Sequence, residues 1–447
     1  MRRSSAISPP TSDVGKRRSA STAQLLYICR KEHVPENVIT VGLILPELTR
    51  SVTDEHLEEL GKLVETAGGA VVATIVAKRP SPDPATYIGS GKAEEVRRTA
   101  ERHDVALIVF DDDLTPAQVR NLEKITVTKV IDRSALILDI FAGRARSREA
   151  RTQVELAQLE YMLPRLTRQW SHLERQAGGI GTRGVGETQL ELDRRIVRTR
   201  ISRLKDELSR IEKHRQTQRK GRKSAFTVAL VGYTNAGKST LFNRLAGGSA
   251  VAVDKLFATL DAKSSRTAFE MPRETVVIDT VGFIRKLPHH LVASFRSTME
   301  EAVAADLVLH LIDQSHPQFE DQREVGEQVL AELGVDPSHV LEVYNKADRL
   351  EDALEARRRN GVSISALTGR GVETLVNAIR EREVAGGEVM QLDIPHDESR
   401  LSAKLHELGA VFEQRPNGES TRYTAWVPPQ HAHLFERYAV RLNEKVG

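Results

Sequence analysis

The chain is poor in cysteine and in aromatic residues: it has one cysteine, Cys29, and 4% aromatics among 447 residues. A single cysteine excludes a disulfide framework within the chain and a cysteine zinc cluster, and it suits a reducing compartment. Scarce aromatic rings argue against a single-strand binder that stacks bases. Apolar stretches such as 106–110 and 307–312, the second interrupted by His310, are far shorter than the roughly 18 residues needed to cross a bilayer. We therefore expect a cytoplasmic protein without stable membrane insertion.

Positive charge is concentrated in one part of the chain. The net charge is +3, but residues 144–223 hold 21 Lys and Arg against 10 Asp and Glu. Such a segment is either a solvated helical face or a surface that contacts phosphates. Residues 1–36 are also basic, with Asp13 the only acid before Glu32. We expect a disordered extension there, and an organellar transit peptide is the alternative.

The length predicts about three domains at roughly 150 residues each. Residues 37–143 alternate between strand patterns, as at 38–45 and 105–110, and helical patterns, as at 54–67 and 93–103. Strands separated by helices predict a parallel sheet with right-handed crossovers. We therefore expect an N-terminal α/β domain over 37–143.

Two leucine-bearing stretches lie in residues 144–223. Apolar residues recur at alternating steps of three and four from Leu156 to Leu166 and from Val197 to Ile211, which predicts a coiled-coil seam on each. The intervening stretch from Gly178 to Thr188 contains five glycines, a composition that disfavours a helix. We predict a basic antiparallel helical hairpin with a flexible tip.

The remaining chain predicts two further units. Residues 224–384 show a second α/β pattern with a mostly parallel sheet, and 388–447 a strand, helix, strand, strand, helix order with a hairpin turn at Asn417-Gly418. The expected fold class is a multidomain α/β protein. It consists of a parallel N-terminal α/β domain with a helical hairpin, a P-loop domain, and a small C-terminal α+β domain.

A strand pattern runs into the sequence G-Y-T-N-A-G-K-S at 232–239, and a helix pattern follows. In this context G-x-x-x-x-G-K-S is typical of a phosphate-binding loop. Its backbone amides and the helix N-terminus point at negative charge. We expect Lys238 to bridge the β- and γ-phosphates and the Ser239 hydroxyl to bind Mg²⁺.

Two further motifs follow in the order that a nucleotide switch requires. The sequence D-T-V-G at 279–282 ends a strand pattern, so that Asp279 can hold Mg²⁺ through water and the Gly282 amide can reach the γ-phosphate. Between this motif and the loop lies F-A-T-L-D at 257–261. Thr259 is the natural second hydroxyl ligand of Mg²⁺, and a threonine that binds only with the γ-phosphate makes a switch.

The sequence N-K-A-D at 345–348 follows another strand pattern and predicts recognition of the base. The Asp348 carboxylate can accept two hydrogen bonds from guanine, from N1–H and the N2 amino group, whereas adenine offers neither donor. An unpaired buried carboxylate would penalise adenine strongly, so the predicted nucleotide is GTP or GDP. S-A-L at 365–367 would supply a backbone amide to the guanine oxygen.

These motifs define the predicted site. The predicted catalytic residues are Lys238, Thr259 and Gly282, and the predicted Mg²⁺ ligands are Ser239 and Thr259. The predicted nucleotide-binding residues are Gly232, Tyr233, Thr234, Asn235, Ala236, Gly237, Lys238, Ser239, Thr240, Phe257, Ala258, Thr259, Leu260, Asp261, Asp279, Thr280, Val281, Gly282, Asn345, Lys346, Ala347, Asp348, Ser365, Ala366 and Leu367.

Three positions qualify this prediction. Phe283 stands directly after Gly282, where a Gln could orient the attacking water, so we expect slow hydrolysis until a partner supplies the missing group. Asn235 suits either a K⁺ ligand or a residue that stabilises the loop. The sequence G-S-G-K at 89–92 suggests a second phosphate loop, but Ala93 replaces the required Ser or Thr, which favours a turn before a helix.

Taken together, the chain resembles the HflX family of GTPases over residues 38 to about 390. The distinctive stretches are Y-I-G-S-G-K at 87–92, V-E-L-A-Q-L at 154–159, the loop at 178–189, and F-I-R-K-L-P-H at 283–289. The resemblance implies an N-terminal α/β domain joined to a helical hairpin, a GTPase domain, and binding to the 50S ribosomal subunit and its rRNA. It also implies a role in splitting or rescuing stalled ribosomes under stress, and a hydrophobic residue at position 283 agrees with the family.

Three functions remain open from the sequence. The first is a Mg²⁺-dependent GTPase, monomeric, that acts on the 50S subunit in splitting, rescue or recycling of stalled ribosomes. The second is an RNA-remodelling protein with an additional ATP activity in its N-terminal domain. The third is a GTP-gated regulator of a protein complex or membrane protease.

Overall fold

The computed structural model describes residues 36–167, 185–220, 225–248, 256–257, 259–271, 274–286, 303–350 and 361–440. The expected extension before Glu36, the part of the glycine-rich tip before Val185, and Ala258 lie outside these ranges. None of the described helices combines the length and the apolar character needed to cross a bilayer.

The N-terminal unit is a four-stranded sheet in the order β2-β1-β3-β4, and each pair of neighbours is parallel. Helices cover both of its faces: α1 and α4 pack on one apolar cluster, α2 and α3 on another. This arrangement confirms the predicted parallel α/β fold. The strands are β1 (Glu36–Ile44), β2 (Gly69–Lys78), β3 (Leu107–Phe110) and β4 (Lys129–Asp132), and the helices are α1 (Arg50–Ala67), α2 (Ser90–Arg102), α3 (Pro116–Thr126) and α4 (Arg133–Arg144).

Two long helices follow, α5 (Arg148–Met162) and α6 (Val185–Lys220). They pack together around Leu204, which is 1% exposed. Ion pairs also join them: Arg148 with Glu207, Arg200 with Glu155, and Lys205 with Glu160. We call this pair of helices the basic arm.

The arm corrects two details of the sequence prediction. Helix α5 ends at Met162, with Leu163 as its C-cap, so Leu166 lies outside the helix and does not continue its seam. Pro164 explains the end, because proline has no backbone N–H with which to continue the ladder of helical hydrogen bonds. Helix α6 already begins at Val185, so the end of the predicted loop is helical; its one glycine there, Gly186, lies in the first turn.

The third unit is a six-stranded sheet in the order β10-β9-β8-β5-β7-β6, in which β6 alone among the described strands runs antiparallel. The carboxyl ends of β5, β7, β8 and β9 therefore meet at one edge, where ligands bind in open α/β sheets. The strands are β5 (Phe226–Gly232), β6 (Lys263–Arg266), β7 (Thr275–Asp279), β8 (Leu307–Asp313), β9 (Val340–Asn345) and β10 (Val362–Ser363), and the helices are α7 (Lys238–Leu245), α8 (Phe319–Glu332) and α9 (Val372–Ala385).

The C-terminal unit is a three-stranded antiparallel sheet in the order β11-β13-β12. Its apolar face packs on α10 and on Phe435, and Gly418, with φ of 65°, lies in the turn between β12 and β13. This α+β unit has the predicted element order. Its elements are β11 (Glu388–Pro395), α10 (Ser399–Leu408), β12 (Ala410–Asn417), β13 (Ser420–Val427) and α11 (Pro429–Ala432).

Candidate nucleotide site

The glycine-rich loop joins the carboxyl end of β5 to the N-terminus of α7. Gly232 and Gly237 have φ of 143° and 96°, a region that favours glycine. A Cβ atom on Gly232 would clash with the Leu311 carbonyl, and one on Gly237 with the Asn345 side chain. The loop thus follows a path that only glycine permits, and it opens towards the positive end of a helix dipole.

Lys238 is buried at the centre of this loop. Its Nζ atom donates to the carbonyl oxygens of Gly232 and Tyr233 at 2.9 and 2.8 Å. Burial lowers the pKa of Lys238 to about 8, against the opposing effect of Asp279. Because the desolvated ammonium lacks a directly bonded anion among the described residues, a phosphate placed here would favour its charged form.

Ser239, Thr259 and Asp279 converge beside the lysine. The Ser239 and Thr259 hydroxyls both donate to Asp279 Oδ2 at 2.8 Å, and the two hydroxyl oxygens are 2.9 Å apart. Burial raises the pKa of Asp279, although Lys238 opposes this, and Asp279 Oδ1 is buried without a hydrogen-bond partner among the described residues. Two hydroxyls and a carboxylate with one unused oxygen are hard oxygen ligands of the kind that Mg²⁺ prefers.

The segment after Asp279 lies against the glycine-rich loop. A Cβ on Gly282 would be 2.9 Å from both Lys238 Nζ and Thr234 Cα, which shows how closely its backbone approaches the site. Phe283 is 2% exposed. Its amide donates to the Gly232 carbonyl at 2.9 Å, and its carbonyl accepts from the Thr234 amide at 2.7 Å. Its buried phenyl ring cannot hydrogen-bond to water.

The predicted base-recognition residues also come together. The side-chain amide of Asn345 donates from Nδ2 to the Ala236 carbonyl at 2.7 Å, and its Oδ1 atom accepts from the backbone amide of Ala366 at 2.9 Å. These bonds connect the phosphate loop with the loop at 365–367. The carboxylate of the exposed Asp348 accepts a hydrogen bond from the Ser365 hydroxyl. That hydroxyl holds one oxygen of Asp348 in place beside the loop at 365–367.

The remaining predicted residues have structural partners or places nearby. Lys346 pairs with Asp313 at 2.7 Å, and the Thr280 hydroxyl donates to the Leu230 carbonyl at 2.7 Å. Val281 and Ala347 are buried, and Leu367 is 71% exposed. Asn235 and Thr240 lie on the loop and in α7, with Asn235 exposed.

Arg244 in α7 is a support that sequence reasoning missed. Its Nε atom donates to the Ala366 carbonyl at 2.7 Å and its Nη2 atom to the Leu367 carbonyl at 2.6 Å. The helix that starts at the phosphate loop thus also holds the loop at 365–367. We call this loop, which is predicted to contact guanine, the base-recognition loop. An arginine six residues after Lys238 gives no local signal of a partner more than 120 residues away.

The N-terminal unit contacts the phosphate loop directly. The Tyr233 hydroxyl donates to Glu59 of α1 and accepts from the Arg285 amide. Glu59 also pairs with Arg133, which is 2% exposed. No pattern in the sequence indicates this contact, because the partners lie 174 residues apart in the chain.

A neighbouring contact holds the segment after Phe283. Lys286 donates to Asp111 and Asp112 at the end of β3, and Arg133 Nη1 donates to Asp111 at 2.8 Å. Asp111 is thus shared between a buried arginine of its own unit and a lysine of the nucleotide-binding unit.

In the G-S-G-K sequence at 89–92 only Gly89 precedes a helix, because Ser90, Gly91 and Lys92 form the first turn of α2; the expected turn lies just before, at 84–86. Gly89, with φ of 88°, precedes α2 at Ser90. Lys92 pairs with Glu95 one turn along the same helix, at 2.9 Å.

A strand, phosphate loop and helix, with a convergent Ser-Thr-Asp cluster and an Asn-Lys-Ala-Asp loop at the same sheet edge, define a P-loop GTPase. Three family models match the chain: "GTP-binding GTPase N-terminal" over 54–142, "GTP-binding GTPase Middle Region" over 144–222, and "50S ribosome-binding GTPase" over 227–346.

Curated relatives identify the family. The GTPase HflX of Magnetococcus marinus is 45% identical over 405 residues, which cover 88% of this chain and 93% of that protein. The GTPase HflX of Escherichia coli is 46% identical over 370 residues, covering 80% and 86%. The chain belongs to the HflX family of GTPases, and its enzymatic reaction is the hydrolysis of GTP.

Among solved structures, a GTP-binding protein from Sulfolobus solfataricus in complex with GDP is 25% identical. The match covers 77% of this chain and 98% of that one, with a TM-score of 0.41.

Proposed function

We propose that this protein is a Mg²⁺-dependent GTPase that binds the 50S ribosomal subunit and acts in the splitting, rescue or recycling of stalled ribosomes. The observation that carries the GTPase part is the convergence of Ser239 and Thr259 on Asp279 beside the buried Lys238. The family description "50S ribosome-binding GTPase" supports the ribosomal partner.

The residues take distinct roles in this proposal. Lys238 contacts the β- and γ-phosphates, Ser239 and Thr259 bind Mg²⁺, and Asp279 holds the ion through water. Bound Mg²⁺ neutralises charge that develops on the phosphates. Gly282 lets its backbone amide approach the γ-phosphate. Asp348, oriented by Ser365, accepts the two guanine donors.

The buried Phe283 supports a slow intrinsic rate. Its ring has no group that could orient water and is 2% exposed, and its backbone bonds to Gly232 and Thr234 keep this segment against the phosphate loop. A partner that supplies or orders such a group would accelerate the reaction. We infer that the ribosome is this partner.

The basic arm supports contact with rRNA. Arginines along α6 are exposed, namely Arg195, Arg198, Arg203 and Arg210. A row of guanidinium groups on one helix suits the phosphate backbone of folded RNA, where binding is largely electrostatic and falls with salt. We propose that nucleotide state controls whether this arm engages the subunit, and that the protein does so as a cytoplasmic monomer.

Co-sedimentation with purified 50S subunits tests the proposal. The wild-type protein should pellet with subunits in a non-hydrolysable GTP analogue more than in GDP, and subunits should raise its GTPase rate. Reversal of the four arm arginines to Glu should abolish pelleting while GTP binding persists. A matched control reverses Arg98, Arg102, Arg400 and Arg437, which are exposed elsewhere, and gives the same net charge. Equal loss in both variants, or a rate indifferent to subunits, contradicts the proposal.

A further inference from the structure

The segment 259–261 faces two parts of the molecule at once. The Thr259 hydroxyl bonds to Asp279 in the nucleotide site. Two residues later in the chain, the Asp261 carboxylate lies outside the nucleotide site. It accepts hydrogen bonds from the residues just before α5, the first helix of the basic arm. This short link joins the nucleotide site to the arm.

Asp261 binds the start of α5 through three donors. Its Oδ2 atom accepts from the backbone amides of Arg146 and Ser147 at 3.1 Å each, and its Oδ1 atom accepts from the Ser147 hydroxyl. The same hydroxyl accepts from the Ala150 amide at 3.0 Å and so caps the helix. A carboxylate at a helix N-terminus is favoured by the helix dipole, and hydrogen bonds to an ionised group are the stronger kind.

A second set of contacts holds Phe257, two residues before Thr259. Arg144 at the end of α4 donates to its carbonyl oxygen, and its ring packs edge-on against Phe141 with centroids 4.7 Å apart. Phe257 has a positive φ of 55°. Such backbone persists in a non-glycine residue when its surroundings over-determine it. The joint between α4 and α5 therefore fixes the path of the chain on both sides of Thr259.

We propose that Ser147 is a positioning residue, which through Asp261 sets the place of Thr259 and couples the GTP-bound state to the basic arm. The inference rests on the proposed function, because it takes Thr259 as the ligand that engages only with the γ-phosphate. A GTP state that holds Thr259 inward holds Asp261 against α5. Linkage is reciprocal, so a partner that stabilises this setting of α5 tightens GTP binding.

The test replaces Ser147 with Asp. Aspartate still caps a helix, but here its carboxylate faces that of Asp261 and repels it. We expect the affinity for a non-hydrolysable GTP analogue at saturating Mg²⁺ to fall about tenfold, the size of one charge-assisted hydrogen bond. Affinity for GDP should change less than about twofold, because the GDP state does not use Thr259. Fluorescence titration with labelled nucleotides measures both.

Three matched variants separate positioning from a general loss of structure. Ser147→Thr keeps the hydroxyl and the cap, and should restore wild-type affinities. Ser147→Asp combined with Asp261→Asn removes the repulsion and should recover part of the lost affinity. Thr115→Asp makes the same change at the N-cap of α3, whose hydroxyl bonds to Gln118 rather than to the switch, and should leave both affinities unchanged.

The outcomes are decisive. If Ser147→Asp lowers the affinities for the GTP analogue and for GDP equally, or lowers neither affinity, Ser147 does not position Thr259. If it fails to fold, Ser147→Gly serves, since glycine costs a cap only a few tenths of a kcal/mol; an unchanged ratio of GTP-analogue to GDP affinity then overturns the proposal. The binding assay contains no ribosomes. If the wild-type protein neither binds 50S subunits nor responds to them, the proposed function is contradicted, but the nucleotide affinities of the Ser147 variants still test the role of Ser147.

Discussion

At the scale of single residues, the nucleotide site holds charges that the free protein accommodates poorly. Burial lowers the pKa of Lys238 and raises that of Asp279, so both groups are pushed towards neutrality. A phosphate anion and a divalent cation would reverse both effects. Nucleotide and metal are therefore expected to stabilise the folded protein strongly, as any ligand selective for the native state does.

Replacing Asp348 by Asn tests recognition of the base. The amide presents a donor where guanine also presents one, whereas xanthine carries an acceptor oxygen in place of the N2 amino group. We expect GTP affinity to fall by a factor on the order of 10³ or more, and xanthosine triphosphate to become the preferred nucleotide. Competition binding with both triphosphates measures the preference. A variant that still selects GTP shows that another group recognises guanine.

His310 makes a second prediction at this scale. It is 1% exposed in the middle of β8, and burial lowers its pKa to about 4 from an ordinary 6.5. The unfolded chain takes up the proton at a higher pH than the folded one does. The free energy of unfolding therefore falls as pH decreases through the window from 6.5 to 4.

Urea unfolding at pH 7 and pH 5 measures this effect. The wild-type protein should lose about 2 kcal/mol more stability between these pH values than His310→Leu, which cannot titrate. The exposed His339 provides a control, since His339→Leu should follow the wild type. Parallel pH profiles for the wild type and His310→Leu would show that His310 does not account for acid sensitivity.

At the scale of elements, the site depends on how helices hold loops. Helix α7 starts at the phosphate loop and, six residues later, supports the base-recognition loop through Arg244. The phosphate loop and the loop at 365–367 are thereby linked through a single helix.

Replacing Arg244 by Leu should loosen the base-recognition loop. Two charged hydrogen bonds at a partly exposed position contribute about 1–2 kcal/mol, so GTP and GDP affinities should both fall about tenfold. Calorimetric titration measures them. Arg380→Leu is the control, because Arg380 donates to the Glu270 carbonyl away from the nucleotide. If Arg244→Leu and Arg380→Leu bind GTP and GDP with equal affinity, the base-recognition loop does not need the hydrogen bonds from Arg244.

The sequence was sufficient to predict local motifs, but it was not sufficient to predict contacts between residues far apart in the chain. The phosphate loop, the Asp279 motif and the Asn345 motif could be predicted because each sits within a few residues of a strand end. Helix α5 ends early because Pro164 outweighs the leucine spacing. Contacts such as Asp261 with Ser147 and Tyr233 with Glu59 join residues 114 and 174 positions apart, and no periodicity encodes such a separation.

At the scale of the whole molecule, a buried ionic network joins the N-terminal and nucleotide-binding units. Arg133 bonds to Asp111 and Glu59, and these acids also accept from Lys286 and Tyr233 of the other unit. The buried Asp111 and the half-buried Glu59 are thus each shared between the two units, so a disturbance on one side reaches the other.

Arg133→Met tests this network. Removing the cation takes one charged partner from the buried Asp111 and from the half-buried Glu59, which keep only Lys286 and Tyr233; breaking a buried pair costs up to about 3–5 kcal/mol. Lower stability in chemical unfolding and faster proteolysis between the two units should result. Arg98→Met, at an exposed arginine of α2, should change neither. A wild-type unfolding curve for Arg133→Met would mean that water or movement compensates for the lost cation.

The backbone bonds of Phe283 also determine where the following segment can turn. Its amide and carbonyl are hydrogen-bonded to Gly232 and Thr234, and Ile284 is buried, so the backbone at these two residues is held in a fixed position. Lys286, with φ of 53°, is the first strained residue beyond it. A partner that pulls on this stretch would have to break the bonds of Lys286 to Asp111 and Asp112 before Lys286 could move, while the backbone beside the phosphate loop stays in place.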